Sequence, residues 1–174
     1  MTRHDRRFPD EPSGPFPEPP LSFTDREGRD IDVCPYEEDD EEALVEMYVD
    51  FDPADRAQGI PPATESRVRD WVETLGEGLN VVAWHEDEVA GHATLVPDGN
   101  GSYELAIFVH QRYQRAGIGS QLIRALLGHG KANGVDRVWL TVERWNRAAV
   151  GLYRDVGFET TDSESFELEM VLTL

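Results

Sequence analysis

The chain has 174 residues, enough for one domain with a sizeable core. Its 35 acidic against 16 basic residues give a formal net charge of -19, a surface that repels nucleic acid and anionic membranes and attracts cationic small molecules or basic peptides. The single cysteine, Cys34, excludes an intrachain disulfide and fits a reducing cytoplasm, and no apolar run approaches the ~20 residues of a membrane span.

Lys131 is the only lysine. A chain so acidic and so poor in lysine resembles the proteins of salt-loving microbes in composition; an acidic protein of an ordinary high-GC bacterium is the alternative. Residues 1–29 carry Pro9, Pro12, Pro15, Pro17, Pro19 and Pro20 among charges and glycines, and read as a disordered or extended tail. A proline-rich docking peptide is the functional alternative. The N-terminal arginines are followed by no apolar stretch, so the tail is not a secretory signal.

The ordered domain is expected over residues 30–174. The alternation Ile31-Asp32-Val33 predicts a short strand. Acidic residues at 37–40 suit a helix N-terminus, and Leu44, Met47, Tyr48 and Phe51 recur at helical spacing before Pro53 stops the run. A loop over 52–62 contains Gly59 and the Pro61-Pro62 pair. Thr64 is placed to cap a second helix carrying Val68, Trp71, Val72 and Leu75, ended by Gly76 and Gly78. Strands are predicted over 80–85 and 89–96 and, past a glycine-rich turn at 97–101, over 103–110. A long amphipathic helix beginning near 120 ends at Gly134. A strand over 138–142 and a short helix over 147–155, capped by Asn146 and ended by Gly157, come next. The last strand, 166–174, sets Phe166, Leu168, Met170 and Leu172 on one face. The order β-α-α-β-β-β-α-β-α-β is that of an α/β (α+β) layered domain with a mixed central sheet.

Between the apolar run at 105–109 and the amphipathic run at 121–127 lies Gln114-Arg115-Ala116-Gly117-Ile118-Gly119-Ser120. This short loop opens onto a helix N-terminus, where free N–H groups and the helix dipole favour an anion. Gly117 and Gly119 lack a Cβ, so a phosphate can approach the main chain; a plain strand-to-helix turn is the alternative. A dinucleotide fingerprint would need a third glycine where Leu122 stands. A P-loop would need a hydroxyl after Gly130-Lys131, where Ala132 stands.

The element order, with Gln114-x-x-Gly117-x-Gly119 after the strand over 103–110, resembles the GNAT superfamily of N-acetyltransferases. A second block strengthens the likeness: Leu140-Thr141-Val142, then Asn146, Ala149, Leu152-Tyr153 and Gly157-Phe158. The resemblance covers roughly residues 30–174. It implies an acyl-CoA pyrophosphate held by the backbone of Gln114, Arg115, Ala116, Gly117, Ile118, Gly119 and Ser120, with Arg112 and Arg115 flanking it. It also implies that the strands over 103–110 and 138–142 splay apart to admit the pantetheine arm. Main-chain groups at Phe108 and Val109 would pair with the arm, and one N–H would stabilise the oxyanion at the thioester carbonyl. Asn146 would contact the cofactor, a role compatible with a helix cap.

By the same resemblance, the Tyr153 hydroxyl protonates the leaving thiolate; as a residue alone it is equally a core tyrosine. Alternation sets Glu104, Ala106, Phe108 and His110 on one strand face. Glu104 is the candidate base that removes the ammonium proton, directly or through water, with His110 and Glu143 as rivals and a solvated edge acid as the alternative. The implied activity is transfer of an acetyl group from acetyl-CoA to a primary amine by direct attack in a ternary complex, in the cytoplasm. No metal is expected, because no His/Cys cluster has ligand spacing. The acceptor region holds Asp50, Asp52, Asp55 and Trp71, which suits a small cationic amine or a basic peptide, meaning a protein lysine or N-terminus. A homodimer is compatible with this reading. Two further classes stay open. One is a non-catalytic acyl-CoA sensor, and the other is an interaction protein acting through the proline-rich tail.

Overall fold

Among the described residues, 6–56, 60–162 and 166–174, the computed structural model contains eight strands and four α-helices. In chain order they are β1 (Leu21–Thr24), β2 (Asp30–Pro35), α1 (Glu41–Val49), α2 (Glu65–Leu75), β3 (Leu79–His85) and β4 (Glu88–Pro97). There follow β5 (Tyr103–Val109), α3 (Ile118–Ala132), β6 (Arg137–Glu143), α4 (Arg147–Val156), β7 (Glu159–Asp162) and β8 (Glu167–Thr173). The strands form one mixed sheet in the order β1-β2-β3-β4-β5-β6-β8-β7. Every neighbouring pair is antiparallel except β5 and β6, which the α3 crossover makes parallel.

The sheet separates two apolar layers. On one face α3 and α4 pack through Ile118, Leu122, Ile123, Leu126, Val150 and Tyr153 onto Leu105, Val138, Leu140 and Met170. On the other, α1, α2 and Phe51 just past α1 pack Leu44, Met47, Tyr48, Val68 and Val72 against Val82 and Val89, with Trp71 and Phe108 at the margin. β5 serves both layers by alternation, with Leu105, Ile107 and Val109 toward α3 and Phe108 toward α1 and α2.

The N-terminal segment departs from the expectation of a disordered tail. Over residues 6–29 it straps onto the domain, and the boundary expected at residue 30 disappears. Leu21-Ser22-Phe23-Thr24 pairs with β2 as an added edge strand, while Phe16, Leu21 and Phe23 join the larger core. The prolines do keep residues 9–20 out of regular structure. Backbone groups there bond instead to the end of β8. Ser13 N–H donates to Thr173 O at 2.8 Å, and Thr173 Oγ1 donates to Pro9 O at 2.6 Å. The carbonyl of Pro17 lies so close to α3 that a Cβ at Gly128 would collide with it. Residues 1–5 of the tail, and Gly59 of the loop over 52–62, lie outside the described residues.

Smaller differences have local causes. Residues Glu38–Asp40 form a 3₁₀ turn before α1, fixed by Glu37 N–H donating to Asp40 Oδ2 at 2.9 Å. Thr64 has the extended backbone of a cap, but its side chain makes no cap bond. β7 is a polar edge strand, Glu-Thr-Thr-Asp, with no apolar alternation to announce it. Phe166 stands before β8 and is 81% exposed, so it does not share the buried face of Leu168, Met170 and Leu172.

Candidate active site

β5 and β6 pair only at Tyr103 with Val138 and Glu104 with Trp139. From Leu105 onward the two strands have no mutual pairing, so a wedge opens toward the C-terminal end of β5. There the chain turns through a 3₁₀ segment, Gln111–Tyr113, and enters α3. Arg115 (φ 60°) and Gly117 (φ 86°) both take the left-handed conformation, a turn pattern that points successive N–H groups to one side. Holding Arg115 there costs about 1–2 kcal/mol. The N-cap of α3 is Gly117, which has no side chain to offer, and no acid stands in the first turn. The N–H groups at the mouth of the wedge are thus left for an anion. Gly119 marks where three elements converge, since a Cβ there would stand 3.5 Å from Leu152 of α4 and 3.7 Å from Ile107 of β5.

The loop is stapled from behind. Gln114 Nε2 donates to Val109 O and to Asp55 Oδ2, both at 3.0 Å, so its amide folds back on the loop. Gln111 Nε2 donates to Asp50 O at 2.8 Å, and Asp52 N–H donates to Gln111 Oε1 at 3.1 Å. His110 Nε2 meets Asp50 Oδ2 at 2.9 Å while its Nδ1 accepts from Arg112 N–H at 3.2 Å. Asp50 and Asp55, through side-chain oxygens, and Asp52, through its backbone N–H, tie the α1–α2 loop to the loop before α3. His110 is 2% exposed, with both ring nitrogens engaged within the fold. Arg112, expected to flank the phosphate, is ion-paired with Glu88, which also accepts from the Tyr113 hydroxyl at 2.6 Å.

On the α1–α2 side of β5, aromatic rings cluster around Phe108. Phe108 meets Trp71 at 5.3 Å, Tyr48 at 5.6 Å and Phe51 at 6.3 Å between centroids, all edge-on. Trp71, partly buried, packs edge-on against Phe108 and Tyr48. Beneath it, Tyr48 Oη meets His92 Nδ1 at 2.6 Å and His92 Nε2 meets Asn80 Oδ1 at 2.8 Å. Burial pushes the His92 pKa down to about 3, so the ring is neutral.

Tyr153 lies in the α3–α4 layer, 8% exposed, tilted against Phe158 at 6.0 Å. Its hydroxyl has no hydrogen-bond partner among the described residues, and burial pushes its pKa up to about 12. Glu104 projects from the opposite face, at the end where β5 and β6 still pair. Partial burial raises its carboxyl pKa, with Asp98 and Glu167 adding to the rise and Arg6 opposing it. The two residues therefore flank the sheet from opposite sides. Glu143 ends β6 on the splayed side. Asn146 caps α4, accepting from Ala149 N–H at 3.3 Å. Trp145, 65% exposed, and Phe166 stand on neighbouring segments, linked by Arg144 N–H donating to Phe166 O at 3.0 Å. The reading of residues alone singled out neither the staples nor the exposed aromatic pair.

Residues 29–158 match the Acetyltransferase (GNAT) family. The [Ribosomal protein bS18]-alanine N-acetyltransferase of Escherichia coli (strain K12) is 40% identical over 52 residues, 30% of this chain and 35% of that protein. The L-methionine sulfoximine/L-methionine sulfone acetyltransferase of Pseudomonas aeruginosa is 34% identical over 59 residues, 34% of each chain. The matches span only about a third of the length of these curated relatives. The structure of yncA from Salmonella typhimurium, a putative acetyltransferase with its cofactor acetyl-CoA, superposes with a TM-score of 0.67 at 20% identity, covering 83% of this chain and 94% of that one.

Proposed function

The chain belongs to the Acetyltransferase (GNAT) family, and on that premise we propose that it transfers an acetyl group from acetyl-CoA to a primary amine by direct attack in a ternary complex. The observation that carries the proposal is the unpaired wedge between β5 and β6 opening beside the uncapped N-terminus of α3. The residues present fit the cosubstrate. N–H groups from Arg115 to Ser120 hold its pyrophosphate, and the unpaired edge of β5 at Phe108 and Val109 takes the pantetheine arm. Asn146 contacts the same arm beyond its capping bond, and Gln114 supports the loop through its two side-chain bonds.

When bound, acetyl-CoA supplies the activated acyl carbon. The chain's own residues orient the acceptor and move two protons. Glu104 removes the proton that an ammonium ion brings, directly or through water; its raised pKa makes it a stronger base than an ordinary carboxylate. The acceptor nitrogen then forms its bond to the acyl carbon as the carbon–sulfur bond breaks. Tyr153, kept protonated by its apolar surroundings, supplies the proton that the departing sulfur needs, and the second proton shed by the nitrogen as it becomes an amide passes through water to restore the Tyr153 hydroxyl. The acceptor approaches from the α1–α2 side, past Trp71 and Phe108. The chain's net charge of -19 favours a cationic amine, either a small molecule or a basic peptide.

A free-thiol release assay with acetyl-CoA against a panel of amines and basic peptides tests the proposal. Amine-dependent release, with a matching acetylated product, is expected. Tight CoA binding with no release for any amine would point to a non-catalytic sensor instead.

A further inference from the structure

We propose that Arg26, in the turn between β1 and β2, is a cofactor-phosphate residue supplied by the N-terminal segment; this rests on the acetyl-CoA reading above. The turn is a built structure. Asp25, 5% exposed, accepts from the N–H groups of Glu27 at 3.0 Å and Arg29 at 2.9 Å, and from Arg29 Nε at 2.7 Å. Burial alone would raise the Asp25 pKa, but these donors hold it below the usual carboxylate value. A buried, charged aspartate therefore fixes the conformation of residues 25–29.

The turn is fastened to the phosphate loop at two points. Arg26 N–H donates to Ala116 O at 3.0 Å. Arg29 Nη1 donates to Arg112 O at 3.1 Å, its guanidinium 4.6 Å above the Tyr113 ring. These contacts bring the Arg26 side chain over the loop, with its Nε 3.7 Å from where a Cβ on Gly117 would stand. The guanidinium is exposed and has no carboxylate or hydrogen-bond partner among the described residues. Beside it, Arg29 and Arg112 are each paired with a carboxylate.

The backbone N–H of Arg26 satisfies the structural contact by itself, so any side chain would serve the fold. A guanidinium held over uncapped helix N–H groups and left without a protein anion is arranged for an anion from solution. Its planar fork matches phosphate oxygens. The loop would then grip a phosphate from below through its main chain, while Arg26 closes over it from the N-terminal strap.

Titration calorimetry of the full chain with CoA and with dephospho-CoA tests this. Arg26→Ala should keep the wild-type Tm and raise the CoA Kd at least fivefold at low salt, a difference that shrinks as salt rises. Arg26→Lys should recover part of the loss, since it restores charge without the fork. Equal losses for both ligands identify the pyrophosphate as the partner; a loss confined to CoA identifies the 3′-phosphate. Unchanged Kd for both ligands in a folded Arg26→Ala protein overturns the proposal. Failure of the wild type to bind CoA would instead overturn the acetyl-CoA reading.

Discussion

Burial among apolar neighbours pushes the Tyr153 pKa up to about 12, so its hydroxyl stays protonated even near pH ~10, where an ordinary phenol is half ionised. In the acid role, Tyr153→Phe should lower kcat by ~10²–10⁴-fold while acetyl-CoA binding stays largely intact. The defect should be the same from about pH 6 to 10, since the wild-type hydroxyl is protonated throughout. Glu104→Gln should behave differently. Its defect should be severe near neutral pH and shrink as pH rises toward the ~10 of a free amine, when the acceptor arrives already neutral. Profiles of kcat and kcat/KM for both variants separate the roles, and equal, pH-independent losses would remove Glu104 as base. At this scale the sequence was readable where one residue speaks for itself. Alternation placed Glu104 and Phe108 on one face, and Asn146 was readable as a cap. The occupation of His110 was not readable, because its partner Asp50 is sixty residues away and only the fold brings them together.

The element that organises the site is the loop from His110 to Gly117 with the start of α3. Its conformation depends on the α1–α2 loop, through Asp50, Asp52 and Asp55. Asp55→Ala should therefore act on the cosubstrate, raising the acetyl-CoA KM several-fold with little change in the acceptor KM. An acceptor-site role for Asp55 predicts the reverse, so the two KM values decide. The glycines and the apolar run before them made this loop legible as a strand-to-helix turn, and periodicity located all four helices. The edge strands were harder. β7 is polar, and β1 has only four residues inside a proline-rich stretch. An edge strand with one neighbour needs little apolar alternation, so the signal that reveals central strands is weak there.

Across the whole molecule, the N-terminal strap is part of the fold. Deleting residues 1–20 removes Phe16 and the bonds to Thr173, a loss of ~3 kcal/mol from one partly buried ring and two hydrogen bonds. For a chain of this size that lowers Tm by roughly 6–12 °C. A disordered tail predicts no change, so a melting curve distinguishes the two. Proline content suggested disorder, yet Phe16, Leu21 and Phe23 were the apolar anchors that contradicted it. Acid should also weaken the fold. His92 is held neutral at a pKa of about 3, whereas in the unfolded chain it titrates near 6.5. The unfolded state thus binds the extra proton between those values, and stability falls as pH drops below about 6.5. A His92→Gln variant should lose that part of the decline in Tm between about pH 6.5 and 5. In the proposed function, the loop before α3 holds the phosphates of CoA. Gly117→Glu tests it most directly, because Gly117 sits at φ 86° at the N-cap of α3, beneath Arg26, and a carboxylate there would take the place of the phosphate. In a protein shown to be folded by its melting curve, titration calorimetry should show CoA binding weakened at least tenfold, which is only ~1.4 kcal/mol; an unchanged Kd would contradict the account.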